Sequence, residues 1–101
     1  MENYTIIDLS LSNERLYKGC SIESVAGRLN LTTPVDEAIG IVGTNITEIV
    51  ESDENRDTVL LTGPMAVWAY LIVFRGVVHR YREIQYHDGR TPPVVIARLG
   101  C

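Results

Sequence analysis

Both histidines of this 101-residue chain, His79 and His87, fall in one short stretch, with Arg80, Arg82, Asp88 and Arg90 around them. An imidazole that titrates near neutrality can give up a proton, take one up or ligate a metal. A guanidinium fork fits phosphate oxygens, and a carboxylate beside it can orient that fork or hold a divalent cation. The set suits gripping an anion and moving a proton near it. Each member also has a plainer use. His79 closes an apolar segment and could simply favour a helix C-terminus, and Asp88-Gly89-Arg90 could be no more than a hairpin turn.

Upstream, Thr62-Gly63-Pro64 ends an apolar run. Glycine lets an anion approach the backbone closely. Proline fits the first turn of a helix, whose free N–H groups and dipole favour negative charge. The further glycines and the lysine of a Walker A or dinucleotide fingerprint are missing, so an ordinary strand-to-helix turn is the competing reading. Trp68 follows one turn on, close enough to stack on a base. With Tyr70 and Phe74 it could equally belong to the core.

These groups need a scaffold that joins distant segments. Residues 58–61 read as a short buried strand, and 64–78 as a helix apolar nearly all round until Arg75, hence packed on several sides. Residues 83–87 read as the next strand. After the Asp88-Gly89-Arg90 turn and Pro92-Pro93, residues 94–99 return as another. A strand, helix, strand crossover implies parallel pairing of 58–62 with 83–87, with the last strand antiparallel at or near an edge. Ligands of such sheets gather beyond the C-terminal strand ends, where Thr62-Gly63-Pro64 would meet His87-Asp88-Gly89-Arg90. Before this unit, residues 4–11 form a strand candidate. Ser21 as N-cap, followed by Ile22, Val25, Ala26 and Leu29 at helical spacing, predicts a helix that Gly27 weakens and Asn30 ends. Residues 38–49 read two ways, since Ile39, Ile41 and Val42 favour a strand and Ile46, Ile49 and Val50 a helical turn. Residues 48–57 read as a charged surface linker. The expected class is α/β, in one domain spanning residues 1–101.

A hydrophobic fraction of 46% marks a chain that folds rather than a disordered one. The first residues carry charges in and beside a short apolar run and resemble neither a signal nor a transit peptide. The longest apolar segment is well short of the ~20 residues that span a bilayer. A soluble, cytoplasmic protein without a membrane partner is therefore expected. Cys20 and Cys101 lack zinc or redox spacing and are expected to be free thiols. The net charge of −4 conceals a polarity: residues 1–57 carry 4 basic and 11 acidic side chains, residues 58–101 carry 5 and 2. The acidic half could be only a solvated face, whereas the second half could still attract a small anion.

Gly63-Pro64, Trp68, His79, Asp88-Gly89-Arg90 and Val94-Val95-Ile96, in that order, resemble one family: the CRISPR-associated manganese-dependent ring nucleases, or Csx-three family. The likeness covers about residues 60–97. It implies a small Rossmann-like (CARF-like) domain with a central, mostly parallel sheet and a C-terminal hairpin. It further implies a homodimer, with two dimers clasping cyclic tetra-adenylate between them and cutting the ring in a centre shared across chains. Carried over, His79, Asp88 and Arg90 become the catalytic candidates, with Asp88 as ligand to Mn²⁺. Thr62, Gly63, Pro64, Trp68 and His87 become the ligand-binding ones. Thr62 stands next to Gly63 where the family turn has a second glycine, two extra residues separate Pro64 from Trp68, and Leu99 replaces an expected distal histidine. The alternative reading is a module that binds the same ligand without cutting it, and a third is a regulatory or scaffold domain whose basic edge meets an acidic protein.

Overall fold

The computed structural model describes residues 4–99. The chain forms β1 (Tyr4–Asp8), β2 (Ile22–Val25), β3 (Arg28–Leu31), α1 (Val35–Ser52), β4 (Thr58–Thr62), α2 (Val67–Val77), β5 (Glu83–His87) and β6 (Val94–Arg98). Four strands make the main sheet in the order β1-β4-β5-β6. β4 pairs parallel with β1 and β5, and β6 is antiparallel on β5 at the edge, as the crossover argument requires.

Alternation along the strands decides which face the helices cover. Ile7, Val59, Leu61 and Ile84 lie on one face and share a buried cluster with Val42, Ile46 and Val50 of α1 and Ala69, Val73 and Val77 of α2. Both helices therefore cover the same side of the sheet and pack on each other, leaving a two-layer domain. The opposite face shows Ile6 at 62% exposure, with Leu60 covered between its neighbouring strands. Gly76 makes the helix contact possible, because a Cβ there would lie 2.7 Å from Ile46 Cγ2.

Three expectations need correction. Residues 22–31 form an antiparallel hairpin in place of a helix, with Val25 opposite Arg28. The two-residue turn uses Ala26 at φ 52° and Gly27 at φ 79°, consecutive left-handed conformations that close a tight hairpin and end a right-handed helix. Residues 38–49 are neither a short strand nor one turn but the middle of the 18-residue α1. Ala38, Val42, Ile46 and Val50, four apart, bury one stripe of that helix, and this burial overrides the strand preference of its isoleucines. The supposed linker divides at Ser52: its first half completes α1, and residues 53–57 form an ordered loop. There Asp53 accepts hydrogen bonds from Thr5 Oγ1 at 2.6 Å, the Tyr81 hydroxyl at 2.7 Å and the Asn55 N–H at 3.0 Å.

α2, expected to be packed on several sides, buries Ala69, Val73 and Val77 and leaves Val67 and Leu71 73% and 62% exposed. Cys20 is a half-buried free thiol, and Cys101 lies outside the described residues. Among the described residues, no helix is long and apolar enough to cross a membrane.

Candidate functional site

Asp8, Thr62 and His87 occupy one register row across β1, β4 and β5, so the three parallel strands end level at a common rim. Thr62 Oγ1 donates to the His87 carbonyl at 2.9 Å, and the Leu9 N–H donates to the Thr62 carbonyl at 2.7 Å, which ties the row together. β4 leaves the sheet through Gly63 at φ +105°, a conformation that side chains rarely adopt. A Cβ on Gly63 would lie 2.3 Å from Asp8 Oδ1 and 2.9 Å from the backbone nitrogens of Leu9 and Ser10. The glycine is thus a packing requirement of the rim.

The Tyr70 hydroxyl, from the first turns of α2, donates to the Gly63 carbonyl and holds this loop in place. Burial, then the neighbouring Tyr86 and Asp8, pushes the Tyr70 hydroxyl up to about 12, so it remains a donor at neutral pH. Its ring meets Tyr86 edge-on, with centroids 5.5 Å apart. Between this loop and the end of β5 lies a cleft of about 310 Å³, walled by Thr62, Gly63, Pro64, Met65, His87 and Asp88, among others. The meeting of the two loops expected from the crossover is therefore present. Its helix is displaced, however. α2 begins at Val67 with Ala66 as N-cap, so Pro64 precedes the helix and does not open it. Trp68 is the second residue of α2, packs half-buried against the core and is absent from the cleft walls.

Asp88 serves its own turn. Its Oδ1 accepts the N–H groups of Arg90 at 2.8 Å and Thr91 at 2.9 Å, and the Thr91 hydroxyl at 3.2 Å. The backbone bonds from Thr91 and Arg90 hold this carboxyl below the usual carboxylate range. Gly89 follows at φ +89°. The Arg90 guanidinium is exposed and makes no hydrogen bond or ion pair among the described residues.

His79 is elsewhere. α2 carries the chain over 11 residues, roughly 16 Å at 1.5 Å per residue, away from the rim. At the far end the Arg82 N–H reaches the Arg56 carbonyl, and β5 starts level with β4. His79 precedes that start by four residues, whereas His87, Asp88 and Arg90 follow the other end of β5. Within one chain the imidazole of His79 does not meet Asp88 or Arg90. The rim also holds Asp8, Met65 and Tyr86, which the sequence did not mark as site residues, and Tyr70, which was expected in the core. Asp8 had one usable signal: a polar residue closing a strand that must lie parallel to β4.

Manganese asks for several hard donors around one point. Among the described residues, no three His, Cys, Asp or Glu side chains gather as a metal site, and one chain offers Asp88 with His87 beside it.

Fold and rim together define a small mixed α/β domain with a ligand-sized cleft at the C-terminal ends of its parallel strands. No family model, no curated protein and no solved structure matches this chain.

Proposed function

We propose that this chain is a Rossmann-like binding domain for a phosphodiester ligand of the cyclic oligoadenylate class, held at the rim. The observation that carries the reading is the cleft itself, where the Gly63 loop stands across from His87, Asp88 and Gly89. Three features of its surroundings favour an anion. The N–H groups of Met65 and Gly89 donate no hydrogen bond among the described residues. The charge of Asp88 is engaged by three donors of its own turn, and the guanidinium of Arg90 is uncommitted. The adenylate identity rests on the resemblance over residues 60–97.

Binding ranks above cleavage because His79 lies at the other end of the sheet. The ring-nuclease reading stays attached to one observation, the Asp88-Gly89-Arg90 turn with an open guanidinium. As an enzyme the protein would have to be a homodimer or a dimer of dimers, in which His79 of one copy reaches Asp88 of another. Any Mn²⁺ would complete its ligands in that assembly.

The test is incubation of the purified protein with cyclic tetra-adenylate, with and without Mn²⁺, following ligand binding and product together. Saturable binding that His87→Ala weakens at least tenfold, without turnover, is the expected result. Cleavage abolished by Asp88→Ala moves the assignment to the enzyme. No binding in either condition sinks both and leaves the scaffold reading.

A further inference from the structure

The end of the domain that holds His79 has a cleft of its own. It measures about 230 Å³ and lies between α1 and α2, lined by Gly43, Ile46 and Thr47 on one side and by Ile72, Arg75, Gly76, His79 and Arg80 on the other. Gly43, Ile46 and Thr47 share one face of α1, Ile72, Arg75 and Gly76 share one face of α2, and His79 and Arg80 follow in the turn after α2. Two glycines give the hollow its shape. Gly76 lets the helices approach at Ile46, and Gly43 leaves room for the Arg75 side chain, whose Nη2 would be 3.3 Å from a Cβ there.

The ionisable side chains that line this hollow are all basic. Arg75, His79 and Arg80 are exposed, and none of their side chains has a hydrogen-bond or ion-pair partner among the described residues. No carboxylate lines the hollow. The acids on the next turn of α1, Glu48 and Glu51, form no ion pair with these side chains. The negative C-terminal end of α2 explains one cation in the last turn, which Arg75 supplies. It does not explain why three cationic or protonatable groups share one concave surface in a protein of net charge −4. Converging like charges repel each other, and a multiply charged anion is the ligand that turns that repulsion into attraction. Two arginine forks flanking an imidazole fit phosphoryl oxygens in particular.

We infer that the α1–α2 cleft at Arg75, His79 and Arg80 is a second anion site, for a pyrophosphate-sized phosphoryl group. That group is either free or at the end of a nucleotide. The site is separate from the rim: the two clefts share no residue, and one lies between the helices whereas the other lies at the C-terminal ends of β4 and β5.

The chain contains two histidines, and each reports one cleft. The experiment is histidine-selective NMR of the full chain during titration with pyrophosphate, adenosine diphosphate and, as the uncharged arm, adenosine. Pyrophosphate is expected to shift the His79 resonances saturably while adenosine leaves them in place. Arg75→Gln and Thr47→Glu, the latter placing a carboxylate in the hollow, should each weaken that response at least tenfold. His87→Ala should not change it. Tighter binding of the diphosphate nucleotide assigns the site to nucleotides, and equal binding assigns it to free phosphate chemistry. Unmoved His79 resonances, a non-saturating drift, or a response indifferent to Arg75→Gln overturns the inference. Failure of cyclic tetra-adenylate at the rim, read at His87, would leave it standing.

Discussion

Replacing Gly63 with alanine tests the rim directly, because the glycine is both conformationally and sterically committed. At φ +105° an L-residue is strained, and holding alanine in a left-handed conformation costs roughly 1–2 kcal/mol. The new methyl would also start 2.3 Å from Asp8 Oδ1, so the carboxylate must swing away. That movement gives up the bond it accepts from the Ser10 N–H at 2.8 Å, worth about 1 kcal/mol. The two backbone nitrogens at 2.9 Å cannot move as freely, since the Leu9 N–H is fixed on the Thr62 carbonyl. Together these give a destabilisation of about 3 kcal/mol, which for a domain of this size lowers Tm by about 12–24 °C. Urea and thermal melts followed by circular dichroism measure both quantities. The cycle is completed with Asp8→Ala, which removes the nearest obstacle. In that background, Gly63→Ala should cost about 1 kcal/mol less, the signature of a direct contact. A Gly63→Ala protein within 1 kcal/mol of the parent, or a cycle with no coupling, would show that the rim is not packed as described.

Ala26 is held at φ 52° in the β2–β3 turn, where asparagine is at ease, so Ala26→Asn should stabilise the protein by about 0.5–1 kcal/mol in the same melts. Asp53 is expected to govern the acid limb of stability: burial opposes its charge, but hydrogen bonds from Thr5, Tyr81 and Asn55 prevail and hold its carboxyl below the ordinary value. A depressed folded pKa means a contribution that is whole above about pH 4, the unfolded value, and fades as pH falls through the folded one. Asp53→Asn should therefore cost about 2 kcal/mol at pH 7 and progressively less below pH 4, read as converging urea midpoints of the two proteins across pH 7 to 2.

The sequence was most legible where short elements carry unmistakable punctuation. Gly63 and Asp88-Gly89 mark the ends of β4 and β5, and the apolar run between them admits only a crossover helix, so parallel pairing and the rim follow. Legibility failed where two periods fit equally. Ile22, Val25, Ala26 and Leu29 satisfy a helical face over eight residues, too few to exclude a hairpin, and alanine is an unexpected occupant of a left-handed turn. In α1 the isoleucines and valines speak for a strand one by one, whereas Ala38, Val42, Ile46 and Val50 speak for a helix only when taken together.

The placement of His79 was misread, although the order of elements contained it, and it carries the wider lesson. A nine-residue interval between an imidazole and a carboxylate invites a picture of neighbours, and in a loop that picture would hold. Here the interval contains all five residues of β5. At about 3.3 Å per residue, a strand holds its two ends some 13 Å apart, farther than a folded segment of any other kind and the same length. A crossover helix delivers the chain to the start of the next strand, so a residue just past α2 belongs to the end opposite the rim. Spacing along the chain thus argues against intrachain chemistry between His79 and Asp88. It sends the two histidines to two separate surfaces, each with its own cleft. One cleft is walled by the Gly63 loop and the end of β5, the other by α1, α2 and the turn that carries His79 and Arg80. An anion that engages both must be long enough to reach around the domain or must bridge two copies of it. A binding stoichiometry that changes when Arg75 is neutralised would therefore distinguish a bridging ligand from two independent ones.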